Sequence, residues 1–320
     1  MPIVRIPDVT YHGGSEDVSV LAAIPWWLSD AGHQEALQQS HGEGITVAVL
    51  DSGFDVRWQQ DAAWAGRFVG PVMADDNGHG THVAGIIGRV APKAKLRIFK
   101  VFDHLGSGTT RDIALAFRRA VDAGVEVINF SGGASMPDDE MEQACEYASQ
   151  HKVLSIVASG NAGPNRISFP ANWETTTSVA AHDEAKEVAP FSSPSSVDCA
   201  AAGVMIESNW LRKTMMTASG TSMACPNVSG GAALYLSLAK KLGLAVSDTE
   251  FLADLFASAT DIDDPGKDVR TGSGAIHFQR LLQRLRDRAL PPPPPPFDPW
   301  SPIMPVVAGA DGKEYALCAR

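Results

Sequence analysis

The feature that most limits what this chain can fold into is an alternation that runs from Gly44 to about Arg288. Short apolar runs of β character are separated by amphipathic helical stretches. Ile45–Leu50, Leu96–Val101, Val125–Phe130 and Val153–Val157 are rich in Val and Ile and read as buried strands. Between them, Thr110–Ala123 sets Ile113, Ala114, Phe117, Ala120 and Val121 at helical spacing, and Asp138–Gln150 forms a second helical stretch. Each helix opens near an Asp, Ser or Thr and closes at a turn signal such as Ala123-Gly124. Strand–helix–strand repetition predicts right-handed crossovers and a three-layer α/β fold, a mostly parallel central sheet with helices on both faces. In such sheets, sites form where strand C-termini meet helix N-termini.

A chain of 320 residues accommodates one large α/β domain with short extensions. With 44% hydrophobic and 20% charged residues it has the balance of a soluble globular protein. The expected division is an N-terminal arm over 1–23, a main domain over 24–288, and a proline-rich spacer with a tail over 289–320. Pro291–Pro296 predicts a stiff polyproline II spacer.

A formal net charge of −11 without any Lys/Arg-rich run argues against nucleic acid as a partner, because phosphate binding needs concentrated positive charge. No window supplies the roughly 18 uninterrupted apolar residues of a membrane span, so no membrane partner is expected. The first twenty residues lack a basic segment followed by an apolar stretch. Cys145, Cys199, Cys225 and Cys318 are scattered without metal-like spacing. These features set the expectation of a cytoplasmic protein without metal or cofactor.

Three local sequences carry the chemistry. Val47-Ala-Val-Leu-Asp51-Ser-Gly53 is a buried strand that ends in a carboxylate and a turn. Asn77-Gly-His79-Gly-Thr-His82-Val-Ala-Gly85 sets an imidazole among small residues at a helix start. Ser219-Gly-Thr-Ser222-Met-Ala-Cys-Pro226 places a serine at the beginning of an apolar helix running to about Leu242. Pro226 suits a first helical turn, where its missing N–H costs little. Serine is a weak nucleophile at neutral pH and needs a base within hydrogen-bond reach. An imidazole titrates near working pH, and a buried carboxylate fixes its tautomer and stabilises the imidazolium.

On these three motifs, in the order Asp, His, Ser, the chain resembles the subtilisin-like serine peptidases. The resemblance spans about Ile24 to Leu285. It implies that Asp51 orients, His79 acts as general base and then acid, and Ser222 attacks the scissile carbonyl. Two further segments match in order. Asn129-Phe-Ser131-Gly132-Gly133 is similar to the strand that pairs with substrate backbone and walls the primary specificity pocket. Ala158-Ser159-Gly160-Asn161-Ala-Gly163 is similar to the segment whose Asn completes the oxyanion hole with the Ser222 N–H. The resemblance implies a peptide or unfolded protein as substrate and hydrolysis through an acyl-enzyme intermediate.

The chain departs from the family's pattern at several places. Gly85-Ile-Ile-Gly-Arg-Val-Ala-Pro92 runs straight into the next strand, without the Asn-rich calcium loop many secreted members carry there. Asn227 stands where a His is common. Pro164 to Pro170 is shortened, so substrate preference does not carry over. Val4-Arg-Ile-Pro7 resembles the short N-terminal propeptide of intracellular subtilisins, which implies intramolecular inhibition by the arm.

Plainer readings stand beside these. His82 reads as structural rather than as a metal ligand, and Cys225 as a small buried residue. Asp75 and Asp76 read as a solvated loop, with a substrate subsite as the sharper option. Two other functions fit the motifs: a peptide-maturation protease or macrocyclase-like ligase, and a silent peptide-binding module.

Overall fold

The computed structural model describes residues 2–15, 24–58 and 60–289, together with the backbone of 306–308 and 314–316. Residues 16–23 of the expected arm, the proline run Pro291–Pro296 and Cys318 lie outside the described residues.

The central sheet has seven strands, ordered Cys199–Ala202, Thr177–His182, Leu154–Ala158, Val127–Phe130, Thr46–Asp51, Lys95–Lys100 and Ala62–Arg67. All neighbouring pairs are parallel. This is the α/β architecture that the alternating pattern predicts. The expected strand bounds hold to within a residue or two, and the helices form over Thr110–Asp122 and Asp139–Gln150. Their starts are capped as the sequence implies: Thr109 accepts from the Asp112 N–H, and Asp138 from the Met141 N–H.

Because side chains alternate across a strand, the two faces of the sheet bury separate cores. Val47 and Val49 join a core built with the helices His79–Val90, Thr221–Leu242 and Phe278–Ala289. Ala48 and Leu50 turn to the opposite core, built with Thr110–Asp122 and Asp139–Gln150. The Thr221–Leu242 helix is buried through most of its length, as its near-continuous apolar and small-residue sequence requires. A Cβ at Gly230 would stand 2.5 Å from the Val90 Cβ. The bare glycine therefore lets this helix approach the His79–Val90 helix closely.

From the Thr46–Asp51 strand, the chain goes first to the edge strand Ala62–Arg67, comes back to Lys95–Lys100 between them, then crosses to the other side at Val127–Phe130. The carboxyl ends of strands 46–51, 127–130 and 154–158 border this change of direction, where α/β sheets place their sites.

Outside the sheet, Ile3–Arg5 pairs antiparallel with Ser107–Thr109, and Thr10–Ser15 pairs antiparallel with Met215–Ser219. In the separate unit beyond Ala289, Val306–Ala308 pairs antiparallel with Glu314–Ala316.

Candidate active site

Asp51 closes its strand with no solvent exposure. Its Oδ1 accepts from the Ser52 N–H at 2.7 Å and from His79 Nδ1 at 2.8 Å. A carboxylate can only accept, so the imidazole proton sits on Nδ1 and leaves Nε2 as an acceptor. Nε2 is buried and has no hydrogen-bond partner.

His79 is the first residue of its helix, where backbone N–H groups lack partners within the helix. Side chains supply them. Asn77 Oδ1 accepts from the His79 N–H at 3.1 Å, Ser52 Oγ from the Gly80 N–H at 2.9 Å, and Asp75 Oδ2 from the Thr81 N–H at 2.9 Å. Asp75 further accepts from Ser52 Oγ, the Asn77 and Gly78 N–H groups and Thr81 Oγ1, at 2.6 to 3.1 Å. It is 9% exposed.

The solvated loop expected at Asp75 is therefore corrected: its carboxylate turns inward because the helix start and Ser52 offer it a full set of donors. Asp76 remains exposed and binds Lys100 Nζ at 2.6 Å. The same fully buried ammonium donates to the Ser52 carbonyl at 2.6 Å.

Ser222 is the second residue of the Thr221–Leu242 helix and is fully buried. Its Oγ donates to the Ser131 carbonyl at 3.3 Å, and Ser131 Oγ donates to the Ser222 carbonyl at 3.1 Å. The hydroxyl is thus turned toward Ser131 and away from a bond with His79. Asn161 Oδ1 accepts from the Thr221 N–H at 2.9 Å and from Thr221 Oγ1 at 2.7 Å. Those two donors fix the amide's orientation and aim its Nδ2 outward.

The atom that Nδ2 meets belongs to the arm: the Asp8 carbonyl, at 2.9 Å. Upstream, Arg5 and Gly133 exchange both backbone bonds, at 3.1 and 2.9 Å, and the Ile6 N–H donates to Gly106 at 2.9 Å. Val4 is fully buried, in the core that holds Phe102 and Phe130. Downstream, the Thr10–Ser15 strand lies against Met215–Ser219, immediately before the serine's helix. Residues 2–15 of the arm thus run past Gly133 and Asn161 to Met215–Ser219, most of them exposed.

Gly160 and Gly133 line this cleft, whereas Ala158 and Ser159 are fully buried and Gly132 turns toward the Phe102 and Phe130 rings. His82 Nε2 donates to the Met216 carbonyl at 2.9 Å, and burial pushes its pKa down to about 3. It is a neutral packing residue. Burial pushes the Cys225 thiol up to about 12, and its Sγ contacts the Asn129 side chain and the Ile156 carbonyl, each at 3.3 Å. Among the described residues, no three His, Cys, Asp or Glu side chains gather as metal ligands.

Comparison with known proteins decides the family. The Subtilase family matches residues 42–274, well over half of the chain. The chain belongs to the subtilase family. It is 36% identical over 290 residues to an alkaline protease of Alkalihalobacillus alcalophilus, covering 85% of this chain and 74% of that one. It is 37% identical over 273 residues to Subtilisin Savinase of Lederbergia lenta, covering 80% of this chain and 98% of that one. A third relative, 30% identical over 253 residues, is the minor extracellular protease Epr of Bacillus subtilis; the match covers 74% of this chain and 38% of that one.

This subtilase is a serine endopeptidase that acts on protein or peptide substrates. The cytoplasmic expectation does not fit an extracellular relative. Among the described residues, no helix is long and apolar enough to cross a membrane.

Asp8, Lys100 and Thr221 were not singled out in the sequence, and Asp75 was read there as a solvated loop. A signal existed for one of them. Lys100 lies inside the apolar run Leu96–Val101, and a lysine inside a buried strand requires a buried partner.

Proposed function

We propose that Asp51, His79 and Ser222 are the catalytic triad of this endopeptidase, and that Asn161 Nδ2 and the Ser222 N–H hold the oxyanion. We also assign residues 2–15 the role of an intramolecular inhibitor. The observation that carries the reading is the buried 2.8 Å bond between His79 Nδ1 and Asp51, which leaves Nε2 as an unpartnered acceptor.

In the working cycle, Ser222 Oγ rotates from the Ser131 carbonyl toward Nε2. It gives up its proton there and attacks the substrate carbonyl carbon. The negative charge that develops on the carbonyl oxygen is met by Asn161 Nδ2 and by the helix start that carries the Ser222 N–H. In subtilisin, losing the corresponding amide slows turnover roughly 10²–10³-fold. Asp51 stabilises the imidazolium, and His79 then protonates the departing amine as the acyl–serine ester remains. Water, activated by His79 Nε2, opens that ester and regenerates the serine. The ligase and silent-binder alternatives have no observation in their favour.

The arm imitates a substrate as far as its backbone goes. Arg5 uses the Gly133 edge, and the Asp8 carbonyl uses the Asn161 amide that an oxyanion would need. Ser222 meanwhile bonds to Ser131, so the arm is held in the cleft while the nucleophile is turned away.

Labelling with a fluorophosphonate tests the triad. The expected product carries one phosphonyl group on the peptide containing Ser222. A label on another residue, or none at all, would defeat the assignment.

A further inference from the structure

Beside the arm the cleft opens into a pocket of about 510 Å³. Gly133 and Ala134 form one side, Gly160 and Ala162 the other. Ser168 bridges them: a Cβ at Gly133 would strike its Oγ, and one at Gly160 would stand 3.0 Å from its Cβ. The two bare glycines therefore leave room for the Ser168 side chain between the walls.

The protein body contributes one ionisable group to this lining, Arg166. Its guanidinium forms no ion pair and no side-chain hydrogen bond among the described residues. The remaining charged residues at the pocket, Arg5 and Asp8, belong to the arm and leave with it when a substrate enters.

Register says which substrate residue meets this pocket. The residue whose carbonyl oxygen sits on the oxyanion donor is the one before the scissile bond. In the arm that residue is Asp8, whose carbonyl lies 2.9 Å from Asn161 Nδ2 and which itself lines the pocket. Asp8 thus lines the same pocket as Arg166, with no ion pair between them.

We propose that this pocket selects an acidic residue, Asp or Glu, immediately before the cut, with Arg166 as the specificity-determining group. The inference rests on the triad reading above and adds the substrate class to it. Arginine presents a fork of N–H donors that fits a carboxylate. Its exposure to solvent screens the attraction, so the selectivity is moderate and fades as salt is added. The acidic net charge of the protein acts in the opposite sense at long range and sharpens the dependence on the local cation.

The test compares two isosteric peptides, with Glu or Gln before the cut, by kcat/KM on the full chain at low salt. Glu is expected to exceed Gln by roughly five- to tenfold, a ratio that falls toward one in 0.5 M salt. In Arg166→Gln the ratio is expected near one. In Arg166→Glu it inverts, and a Lys peptide overtakes Gln. Because each ratio is taken within one variant, a partial loss of folded enzyme cancels.

A ratio at or below one in the unmodified protein overturns the pocket assignment alone, as does a ratio that survives Arg166→Gln. If neither peptide is cut and the fluorophosphonate leaves Ser222 unlabelled, the triad reading fails and this one falls with it.

Discussion

The two halves of the cleft are built differently. On the Asp51–His79 side the polar groups near the helix start are mostly tied down, His79 Nε2 and Asp51 Oδ2 being the exceptions. Asp75 receives five hydrogen bonds, Lys100 joins Asp76 to the Ser52 carbonyl, and Asp51 already holds the imidazole. On the Ser222–Asn161 side the corresponding contacts are provisional. The serine hydroxyl rests on Ser131 at a long 3.3 Å, and the Asn161 amide is taken by the arm. On the proposed reading, the base and its carboxylate are preorganised, whereas the nucleophile and the oxyanion donor wait for the arm to leave, and a change confined to the serine side would turn the enzyme on.

The sharpest test of that contrast is Ser222→Ala. It should lower turnover by roughly 10⁶-fold, the scale known for subtilisin's serine, without altering the melting temperature by more than a degree or two. Retained proteolysis in a clean preparation would break the assignment.

The locked side predicts the next largest effect. Asp75→Ala strands five buried donors and should cost roughly 3–5 kcal/mol in chemical denaturation. Thr221→Ala, which removes one hydroxyl donor to Asn161, should cost only about 1 kcal/mol. Equal losses for the two variants would erase the distinction between the halves.

The waiting side predicts a gain. Val4→Asp puts a carboxylate into an apolar core, which is unfavourable by several kcal/mol and should unseat the arm. Initial turnover and the rate of fluorophosphonate labelling should rise about tenfold, since the competent fraction is no longer limited by the arm. Unchanged rates would remove the inhibitory role from residues 2–15.

The last effect is a pH dependence on the locked side. His82 has a folded pKa of about 3 against roughly 6.5 when unfolded. Between those values the unfolded chain binds a proton that the folded chain refuses. Stability is therefore full above pH 6.5 and declines as the pH falls toward 3, with a slope approaching about 1.4 kcal/mol per unit. His33, His182 and His277, also pushed down by burial, act in the same direction. The melting temperature should fall between pH 7 and pH 5; a flat or rising profile would contradict this.

Much of the architecture was legible because its signals are local. Val- and Ile-rich runs bounded by turns announce strands, and Thr109 and Asp138 announce helix starts. The segments around Asp51, His79 and Ser222 were legible for the same reason, since small residues and a turn must surround each side chain at its strand or helix end. The arm left only the short Val4-Arg-Ile-Pro7 resemblance and no periodic signal. Its strands are held by backbone bonds to Gly133, Ser107–Thr109 and Met215–Ser219, and backbone bonds impose no side-chain period. Val4 alone among its described residues is buried, and one apolar residue is not a pattern. Asp75 and Asp76 were illegible for a related reason. Adjacent carboxylates look alike in sequence, and only the donors around each, brought by Ser52, Thr81 and Lys100, decide which one turns inward.

The sequence by itself determined the layered sheet, the family, and which residues are proposed for acyl transfer, because these follow from periodicity and from short motifs. Tertiary structure alone decided which hydroxyl, amide and carbonyl meet. The Ser222–Ser131 and Asn161–Asp8 contacts join residues 91 and 153 positions apart. A hydrogen bond of about 3 Å is set by the packing of whole helices and strands, and no local pattern encodes it.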